Sequence, residues 1–304
     1  MSRILRIGTR DSELALWQAN RVLDALRASG RKAELVPVKS TGDLILDKPL
    51  YELGITGIFT KTLDVAMLRQ DIDLAVHSMK DVPTALPEGI SEAAVLERAD
   101  PRDILVHKGL DFLNEEGVVA TGSLRRKAQW LSRYPLHEIT DLRGNVNTRL
   151  RKLAEEPWNA AIFARAGLER INVLPSTHSV LDWMLPAPAQ GAMLVVARSE
   201  DDEALDACAP LQDGETARCV AVERAFLRTL EGGCTAPIGA LAEINGDRMR
   251  LRGGVFALDG SRACRNEWEA PADAGAEFGA ACARELLAEG GAEILSEIRK
   301  TLQP

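Results

Sequence analysis

The sequence predicts an α/β fold with mostly parallel sheets, followed by a small α+β domain at the C-terminus. Two observations predict this class. Strand-like and helix-like segments alternate as far as residue 197, which is typical of parallel sheets with crossover helices. Later, a helical segment precedes two predicted strand pairs with turn signals at Asn245-Gly246 and Asp259-Gly260, which favours an antiparallel sheet.

The elements of the first α/β segment follow from apolar spacing and from residues that begin or end helices. Apolar residues recur at helical spacing from Ala15 to Leu26. Ser12 can cap this helix and Gly30 can end it. Residues 40–60 combine glycine and proline with little periodicity and predict a long mobile loop. The predicted elements are a strand over Leu5–Gly8, a helix over about Glu13–Ala28, a strand over Ala33–Val38, a helix over about Thr60–Arg69 and a strand over Asp73–Val76.

A second α/β segment begins near Arg102. Its predicted strands are Ile104–Val106, Val118–Ala120, Glu138–Asp141 and Ala160–Phe163, and its predicted helices follow Ser123, Asn145 and Ala166. The proline-rich stretch Leu185–Gly191 predicts a crossover into a strand over Met193–Ala197. A helix over about Thr216–Leu230 and one helix over about Ala276–Thr301 complete the prediction.

Length and charge limit the function. The 304 residues are too many for one ordinary core, so we expect two or three domains. No apolar run reaches the about 18 residues of a membrane helix, and Met1–Gly8 lacks a signal-peptide core, so we expect a cytoplasmic protein without a membrane partner. The net charge of −8 argues against nucleic-acid binding, yet residues 125–152 hold eight basic and two acidic side chains. This contrast predicts a discrete anion site.

The five cysteines do not predict a zinc site or a disulfide framework, because their number is odd, no pair is spaced as Cys-x-x-Cys and the histidines lie far away in sequence. Four are expected to be small buried residues with inert thiols: Cys208, Cys219, Cys264 and Cys282. Cys234 follows two glycines that allow a loop to present the thiol, so it is a candidate nucleophile or covalent anchor. A structural role is the commoner case for a lone cysteine, and no partner histidine can be named.

Two loops that follow predicted strands, Thr9–Ser12 and Thr121–Arg126, share a hydroxyl-bearing turn, a helix start and an arginine. The free N–H groups of a helix start favour an anion, and a guanidinium can hold a carboxylate through two hydrogen bonds. For one loop alone, helix capping with arginines in solvent is the better explanation. Two matching loops and a third, Asp141–Arg149, favour an anion site.

The segment His77–Pro83 follows a predicted strand end, where active-site residues of α/β folds gather. Asp81 lies next to Lys80 and among cations, so its carboxylate is expected to stay ionised and to stabilise a positive charge. An ordinary turn with a surface ion pair is the alternative. His77 is expected to be a satisfied core histidine and not a base.

Taken together, these segments resemble the porphobilinogen deaminase family, also called hydroxymethylbilane synthases. The resemblance covers almost the whole chain and rests most on Ala75–Thr84, Ser123–Arg126, Leu142–Asn145 and Glu231–Cys234. It implies a transferase of haem biosynthesis that deaminates four porphobilinogen units, joins them head to tail and releases hydroxymethylbilane by hydrolysis. It also implies two lobes like those of periplasmic binding proteins (residues 1–98 with 192–212, and residues 99–191) and a C-terminal domain (residues 213–304).

The resemblance further implies a role for each matching residue. Cys234 would hold a dipyrromethane cofactor through a thioether, and Asp81 would be the catalytic carboxylate that offsets the charge of an azafulvene. Phe59, in the predicted loop, would cover the cleft. The cofactor carboxylates would be bound by Lys80, Ser123, Arg125 and Arg126, and the substrate or growing chain by Arg10, Ser12, Gln18, Arg143, Arg149 and Arg170.

The implied ligands are porphobilinogen and the growing polypyrrole chain, and the implied protein is a monomer that transiently hands its product to uroporphyrinogen-III synthase. The chain departs from the family pattern at Ile55–Gly57, in the predicted loop that would form the lid; the remaining departures are Thr62, Ala120–Ser123, Asn147 and Ala189. Three other functions compete: a two-lobed solute-binding protein, a thiol-dependent hydrolase and a nucleic-acid module. The missing signal peptide argues against the first, the missing partner histidine against the second and the scarcity of interleaved aromatics against the third.

Overall fold

The computed structural model describes residues 3–38, 60–230 and 236–302. The described chain forms two compact units, residues 3–38, 60–99 and 191–217 in the first and residues 100–190, 218–230 and 236–302 in the second. The predictions of a mobile loop, of a lid at Phe59 and of an anchor at Cys234 fall outside the described residues.

Helices and strands alternate along much of the described chain. Up to residue 134 they are β1 (Ile4–Thr9), α1 (Glu13–Ala28), β2 (Lys32–Pro37), α2 (Lys61–Leu68), β3 (Leu74–Ser78), a 3₁₀ turn (Met79–Asp81), β4 (Ile90–Leu96), β5 (Asp103–His107), a 3₁₀ turn (Asp111–Asn114), β6 (Val118–Ala120) and α3 (Leu124–Arg133). They continue as β7 (Glu138–Thr140), α4 (Val146–Glu155), β8 (Ala160–Ala164), α5 (Arg165–Arg170), β9 (His178–Val180), β10 (Met193–Arg198), α6 (Asp202–Cys208) and a 3₁₀ turn (Ala209–Leu211). The last elements are α7 (Gly214–Thr229), β11 (Ile238–Asn245), β12 (Arg248–Phe256), β13 (Ala263–Pro271), α8 (Ala276–Leu286), a π-helical turn (Leu287–Gly291) and α9 (Ala292–Leu302).

The first unit is built on a five-stranded sheet in the order β2-β1-β3-β10-β4. Strand β1 pairs in parallel with β2 and β3, and β10 pairs antiparallel with β3 and β4. On one face, α1 buries Val22 and Leu26 against Ile7 and Leu74 of the sheet. Helix α1 has the bounds that the sequence predicts, because Ser12 Oγ accepts a hydrogen bond from the Ala15 N–H over 3.4 Å and caps the helix.

The second unit contains a five-stranded sheet in the order β7-β6-β8-β5-β9. Strand β6 pairs in parallel with β7 and β8, whereas β5 pairs antiparallel with β8 and β9. Side chains of successive residues point to opposite faces of a strand, and both faces are apolar here. Ile104 belongs to a core with Leu153 of α4, while Leu105 belongs to a core with Trp130 of α3. This sheet is therefore buried on both sides.

The second unit also contains an antiparallel sheet in the order β11-β12-β13, joined by the two predicted turns. The two predicted strand pairs share their middle strand, β12, so this sheet has three strands. Its inner face packs on Phe226 of α7 and on α8 and α9. The prediction of a single long C-terminal helix is wrong, because Gly290 adopts a φ of 112° and separates α8 from α9.

The predicted α/β class with a small C-terminal α+β domain is confirmed, although in each five-stranded sheet two of the four strand pairings are antiparallel. Strands β4 and β9 and helix α6 were not predicted. Within the described ranges, none of the helices combines the length and apolar character that crossing a membrane requires.

Candidate active site

The carboxyl end of the first sheet gathers predicted site residues from two neighbouring strands. Because β1 and β3 are adjacent and parallel, with Ile7 opposite Leu74, the segments that follow them lie at the same edge of the sheet. Arg10 follows β1, and Lys80 and Asp81 follow β3, all three half-buried. This edge is where α/β folds bind their ligands.

The 3₁₀ turn that carries Lys80 and Asp81 is fixed by backbone hydrogen bonds. The Met79 N–H donates to the Ala192 carbonyl over 3.0 Å, and the Val82 N–H donates to the Met79 carbonyl over 3.1 Å. One anchor of the turn therefore lies outside it, just before β10. That anchor places both side chains at the end of β3.

Helix α1 supplies the other two predicted residues of this edge. Ser12 is half-buried and caps the helix. Gln18 is 3% exposed, and its Nε2 donates a hydrogen bond to Ser78 Oγ over 2.8 Å. The Nε2 of Gln18 thus joins α1 to the last residue of β3.

His77 is buried near the end of β3, as expected, but its Nε2 has no hydrogen-bond partner among the described residues. Burial lowers the pKa of the imidazole to about 4, and the positive charge of Arg10 acts in the same direction. The ring is therefore neutral at pH 7, which does not suit it to act as a cationic ligand-binding group.

The carboxyl end of the second sheet gathers the arginine-rich loops. Strands β6, β7 and β8 are parallel to one another, so the segments after them lie at one edge of this sheet. A Cβ at Gly122 would lie 2.8 Å from the Leu142 carbonyl oxygen, so the loops after β6 and β7 approach closely through this glycine. Ser123 caps α3, with Oγ accepting from the Arg126 N–H at 3.5 Å, the limit of a hydrogen bond.

Arg125 and Arg126, in the first turn of α3, are buried and share the carboxylate of Asp103. Arg125 Nη1 donates to Asp103 Oδ2 over 2.7 Å and to the Leu185 carbonyl over 2.6 Å. Arg126 donates to Asp103 Oδ1 from Nε and Nη2, over 3.1 and 2.8 Å, and from Nη1 to the Ile162 carbonyl over 3.0 Å. The buried Arg125 Nε–H has no acceptor among the described residues. These arginines do not sit in solvent, the alternative that the loop pattern left open.

The other predicted arginines of the second unit differ in environment. Arg143, after β7, is buried, and its Nε–H has no acceptor within the described chain. Arg149 of α4 is half-buried, and its Nε donates to the Gly144 carbonyl over 2.7 Å. Desolvation lowers the pKa of Arg170, at the end of α5, to about 10, which still leaves it charged at neutral pH.

The predicted site residues thus fall into two groups, one in each unit. The first unit holds Arg10, Ser12, Gln18, Lys80 and Asp81, and the second holds Ser123, Arg125, Arg126, Arg143, Arg149 and Arg170. Sequence reasoning missed Asp103 and Gln190, whose Nε2 donates to Asp103 Oδ1 over 2.8 Å. Nothing in the local sequence marks either residue as the partner of an arginine.

Three of the four cysteines expected to be structural are buried, namely Cys208, Cys219 and Cys282. Desolvation raises the pKa of Cys208 and of Cys282 to about 12, so both thiols are inert at neutral pH. Cys264 differs from the expectation because it is only half-buried, and its Sγ lies 3.6 Å from the Leu286 and Glu289 carbonyl oxygens.

Two family models and several curated relatives match this chain. A family model described as porphobilinogen deaminase, dipyromethane cofactor binding domain, matches residues 5–206, and one described as porphobilinogen deaminase, C-terminal domain, matches residues 217–288. The chain is 43% identical to a porphobilinogen deaminase of Geobacter sulfurreducens, over 97% of this chain and 94% of that one. It is 45% identical to a porphobilinogen deaminase of Pelotomaculum thermopropionicum, over 99% of this chain and 98% of that one.

Among solved structures, the chain is similar to the VFT2 domain of Bordetella pertussis BvgS, with 12% identity and a TM-score of 0.42 over 70% of this chain and 90% of that one. It is also similar to the substrate binding protein of an amino acid ABC transporter, with 11% identity and a TM-score of 0.37 over 69% of this chain and 91% of that one. The family models together match more than half of the chain, and the sequence relatives extend over nearly all of it. The chain belongs to the porphobilinogen deaminase family.

Proposed function

We propose that this chain binds the carboxylates of its dipyrromethane cofactor and of its substrate with the arginines at the carboxyl ends of its two five-stranded sheets. The family's reaction deaminates porphobilinogen, joins the units on a dipyrromethane primer and releases hydroxymethylbilane, an intermediate of tetrapyrrole biosynthesis. One observation carries the proposal. Arg125 and Arg126 share a single buried carboxylate, and a buried N–H of Arg125 has no acceptor within the described chain.

The residues present fit a polycarboxylate group. Two buried guanidinium groups around one carboxylate leave an excess of positive charge, and an uncompensated buried charge is costly. The buried Arg143 Nε–H is a second donor without an acceptor among the described residues. Each pyrrole ring of the cofactor bears an acetate and a propionate, which supply both the negative charge and the missing acceptors. A neutral ligand would supply only the acceptors.

In this proposal Lys80, Ser123, Arg125 and Arg126 bind the cofactor carboxylates, and Cys234 attaches the cofactor through a thioether. Bound there, the dipyrromethane supplies the primer to which the substrate units are added. The substrate and the growing chain are held by Arg10, Ser12, Gln18, Arg143, Arg149 and Arg170, with Phe59 as a lid. The closeness of the Gly122 loop to Leu142 supports the grouping of Ser123 with Arg143.

Asp81 is the proposed catalytic carboxylate. When the C–N bond of the aminomethyl group breaks and ammonia leaves, the remaining pyrrole becomes electron-poor and gains positive character. A carboxylate that accepts a hydrogen bond from the pyrrole N–H stabilises this charge. It would do so again when the ring whose free α-carbon forms the new C–C bond becomes positively charged, until that carbon loses its proton. The backbone bonds of the Met79–Asp81 turn support this role, because they hold the carboxylate in place before the charge develops.

The remaining proposals concern the whole chain. We propose three domains, formed by residues 1–98 with 192–212, residues 99–191 and residues 213–304. We further propose a cytoplasmic monomer that binds neither nucleic acid nor membrane and transiently hands its product to uroporphyrinogen-III synthase. The matches to two separate family models, at residues 5–206 and 217–288, support a boundary near residue 213.

The denatured intact mass of the purified protein tests the attachment. We expect a mass excess equal to two linked, deaminated porphobilinogen units in the wild-type protein and none in a Cys234→Ala variant. Cys208→Ala is the matched control, because this buried thiol has its pKa raised to about 12 and should leave the excess unchanged. An unmodified wild-type mass that stays unchanged after incubation with porphobilinogen would refute the proposal.

A further inference from the structure

The carboxylate of Asp103 lies at the centre of the arginine pair in the second unit. Asp103 is the first residue of β5 and is fully buried. Its Oδ1 accepts hydrogen bonds from Arg126 and from Gln190 Nε2, and its Oδ2 accepts one from Arg125 Nη1. Gln190 Nε2 also donates to the Pro101 carbonyl over 2.7 Å, which fixes the amide that holds Asp103. Both carboxylate oxygens are therefore occupied by protein donors.

These contacts set the direction of the Arg125 guanidinium. Nη1 is held between Asp103 Oδ2 and the Leu185 carbonyl, and Leu185 is itself fixed by Gln129, which donates to its carbonyl over 3.0 Å and accepts from its N–H over 2.8 Å. With Nη1 so placed, the planar guanidinium has one orientation, and its Nε–H has no acceptor in the described chain. Protein contacts thus fix the orientation of the pair.

The charges of Asp103, Arg125 and Arg126 also favour binding of a further anion. Desolvation opposes ionisation of Asp103, but Arg125 and Arg126 outweigh it and hold the pKa of the carboxyl well below its ordinary value. Asp103 therefore remains an anion at neutral pH. It neutralises only one of the two guanidinium charges, so the pair attracts a further anion without being left as an unscreened double charge.

We infer that Asp103, assisted by Gln190, is a positioning residue for cofactor binding: it does not touch the cofactor but sets the orientation of Arg125 and Arg126 toward a cofactor carboxylate. This inference rests on the proposed role of the two arginines. The expected change in cofactor binding is opposite to the change that charge alone would produce. Removing the negative charge of Asp103 would strengthen anion binding by electrostatics, whereas loss of the orientation of Arg125 and Arg126 weakens it.

The test compares cofactor loading in Asp103→Asn and in a matched variant, Asp73→Asn. Asp73 is also a buried aspartate shared by two arginines, with Arg6 Nη2 at 2.9 Å and Arg198 Nη2 at 3.1 Å from its Oδ1. It immediately precedes β3, so it lies at the amino end of that strand, away from Lys80 and Asp81. Both variants lose a buried shared carboxylate, but only Asp103→Asn disturbs the proposed cofactor-binding pair.

The readouts are the folded fraction by circular dichroism and the loaded fraction by intact mass, followed over time as the purified apoprotein is incubated with porphobilinogen. At equal folded fraction we expect Asp103→Asn to load about tenfold more slowly than the wild-type protein, and Asp73→Asn to load at the wild-type rate. Loading by Asp103→Asn at or above the rate of Asp73→Asn would overturn the inference.

A second variant covers the case in which Asp103→Asn does not fold. Gln190→Met keeps both ion pairs and removes the amide that holds the carboxylate, so slower loading supports the inference and wild-type loading overturns it. The wild-type protein separates this inference from the proposed function. Absence of any cofactor mass that depends on Cys234 in the wild-type protein would reject the proposed function, whereas normal wild-type loading with unimpaired variants would reject only the role of Asp103.

Discussion

Gln18 Nε2 lies 2.8 Å from Ser78 Oγ and donates a hydrogen bond to it. The bond joins the middle of α1 to the last residue of β3, immediately before the turn that carries Lys80 and Asp81. The position of the proposed catalytic turn therefore depends on a side chain that is 60 residues away in the sequence.

We expect Gln18→Ala to lower the free energy of unfolding by about 1 kcal/mol, the usual contribution of a buried hydrogen bond, and to lower kcat because the turn loses a support. Ser78→Ala should produce the same loss, and the double variant should be no worse than either single one. Asn20→Ala is the control, since Asn20 is exposed on the same helix and its Nδ2 donates to the Leu16 carbonyl. Strictly additive effects of the Gln18 and Ser78 changes would contradict this coupling. The measurements are urea unfolding and steady-state kinetics.

Asp81→Asn should leave the fold and the cofactor mass intact and reduce kcat by about a hundredfold or more, because an amide cannot offset a developing positive charge as a carboxylate does. KM should change little, since the substrate carboxylates are held by other residues. Asp71→Asn is the control: Asp71 is exposed and precedes β3 at its other end. Turnover of Asp81→Asn within a few-fold of the wild-type rate would remove Asp81 from the mechanism.

The sequence predicted local features of this fold and site because those features depend on neighbours in the chain. Helix α1 was predicted with its observed bounds, since its cap and its apolar face are both local signals. Strand β4 was missed, because Ile90–Leu96 mixes polar and apolar residues without regular alternation. The break at Gly290 was missed as well, since a glycine near the middle of a helical pattern does not by itself require a positive φ.

The sequence predicted which loops come together at the site, but it did not predict which side chains pair within it. Residues that follow adjacent parallel strands must meet at one edge, so the placing of Arg10 with Asp81 follows from topology. The pairing of Arg125 with Asp103 does not, because it depends on the packing of α3 against β5 across 22 residues of sequence. Long-range side-chain contacts of this kind are set by the folded core, not by spacing within a motif.

The buried imidazole of His77 should make stability depend on pH. Burial lowers its pKa from 6.5 to about 4, so the unfolded chain binds a proton in this interval that the folded protein does not. The stabilising contribution is complete above pH 6.5 and is lost as the pH falls toward 4, by about 3 kcal/mol at most.

Urea unfolding of the wild-type protein at pH 7, 5.5 and 4.5 measures this dependence, and His77→Gln should show a smaller slope. His178→Gln is the control, because His178 is half-buried and lies in the second unit; an equal loss of slope in both variants would contradict a specific role of His77. A ring proton of His77 that titrates near its ordinary pKa in an NMR titration would rule out this explanation.

Arg149→Leu should impair chain growth without unfolding the protein. Arg149 Nε donates to the Gly144 carbonyl, so its side chain both supports the loop after β7 and places a guanidinium at the arginine-rich edge. Without this guanidinium, we expect enzyme with partly grown chains to accumulate. It would be seen as a ladder of intact masses, each heavier than the enzyme with cofactor alone by one or more substrate units. We expect kcat to fall by about tenfold. Arg151→Leu is the matched control, since Arg151 is on the same helix, exposed and paired with Glu155 over 3.0 Å. The same ladder in both variants, or in neither, would show that Arg149 does not hold the growing chain.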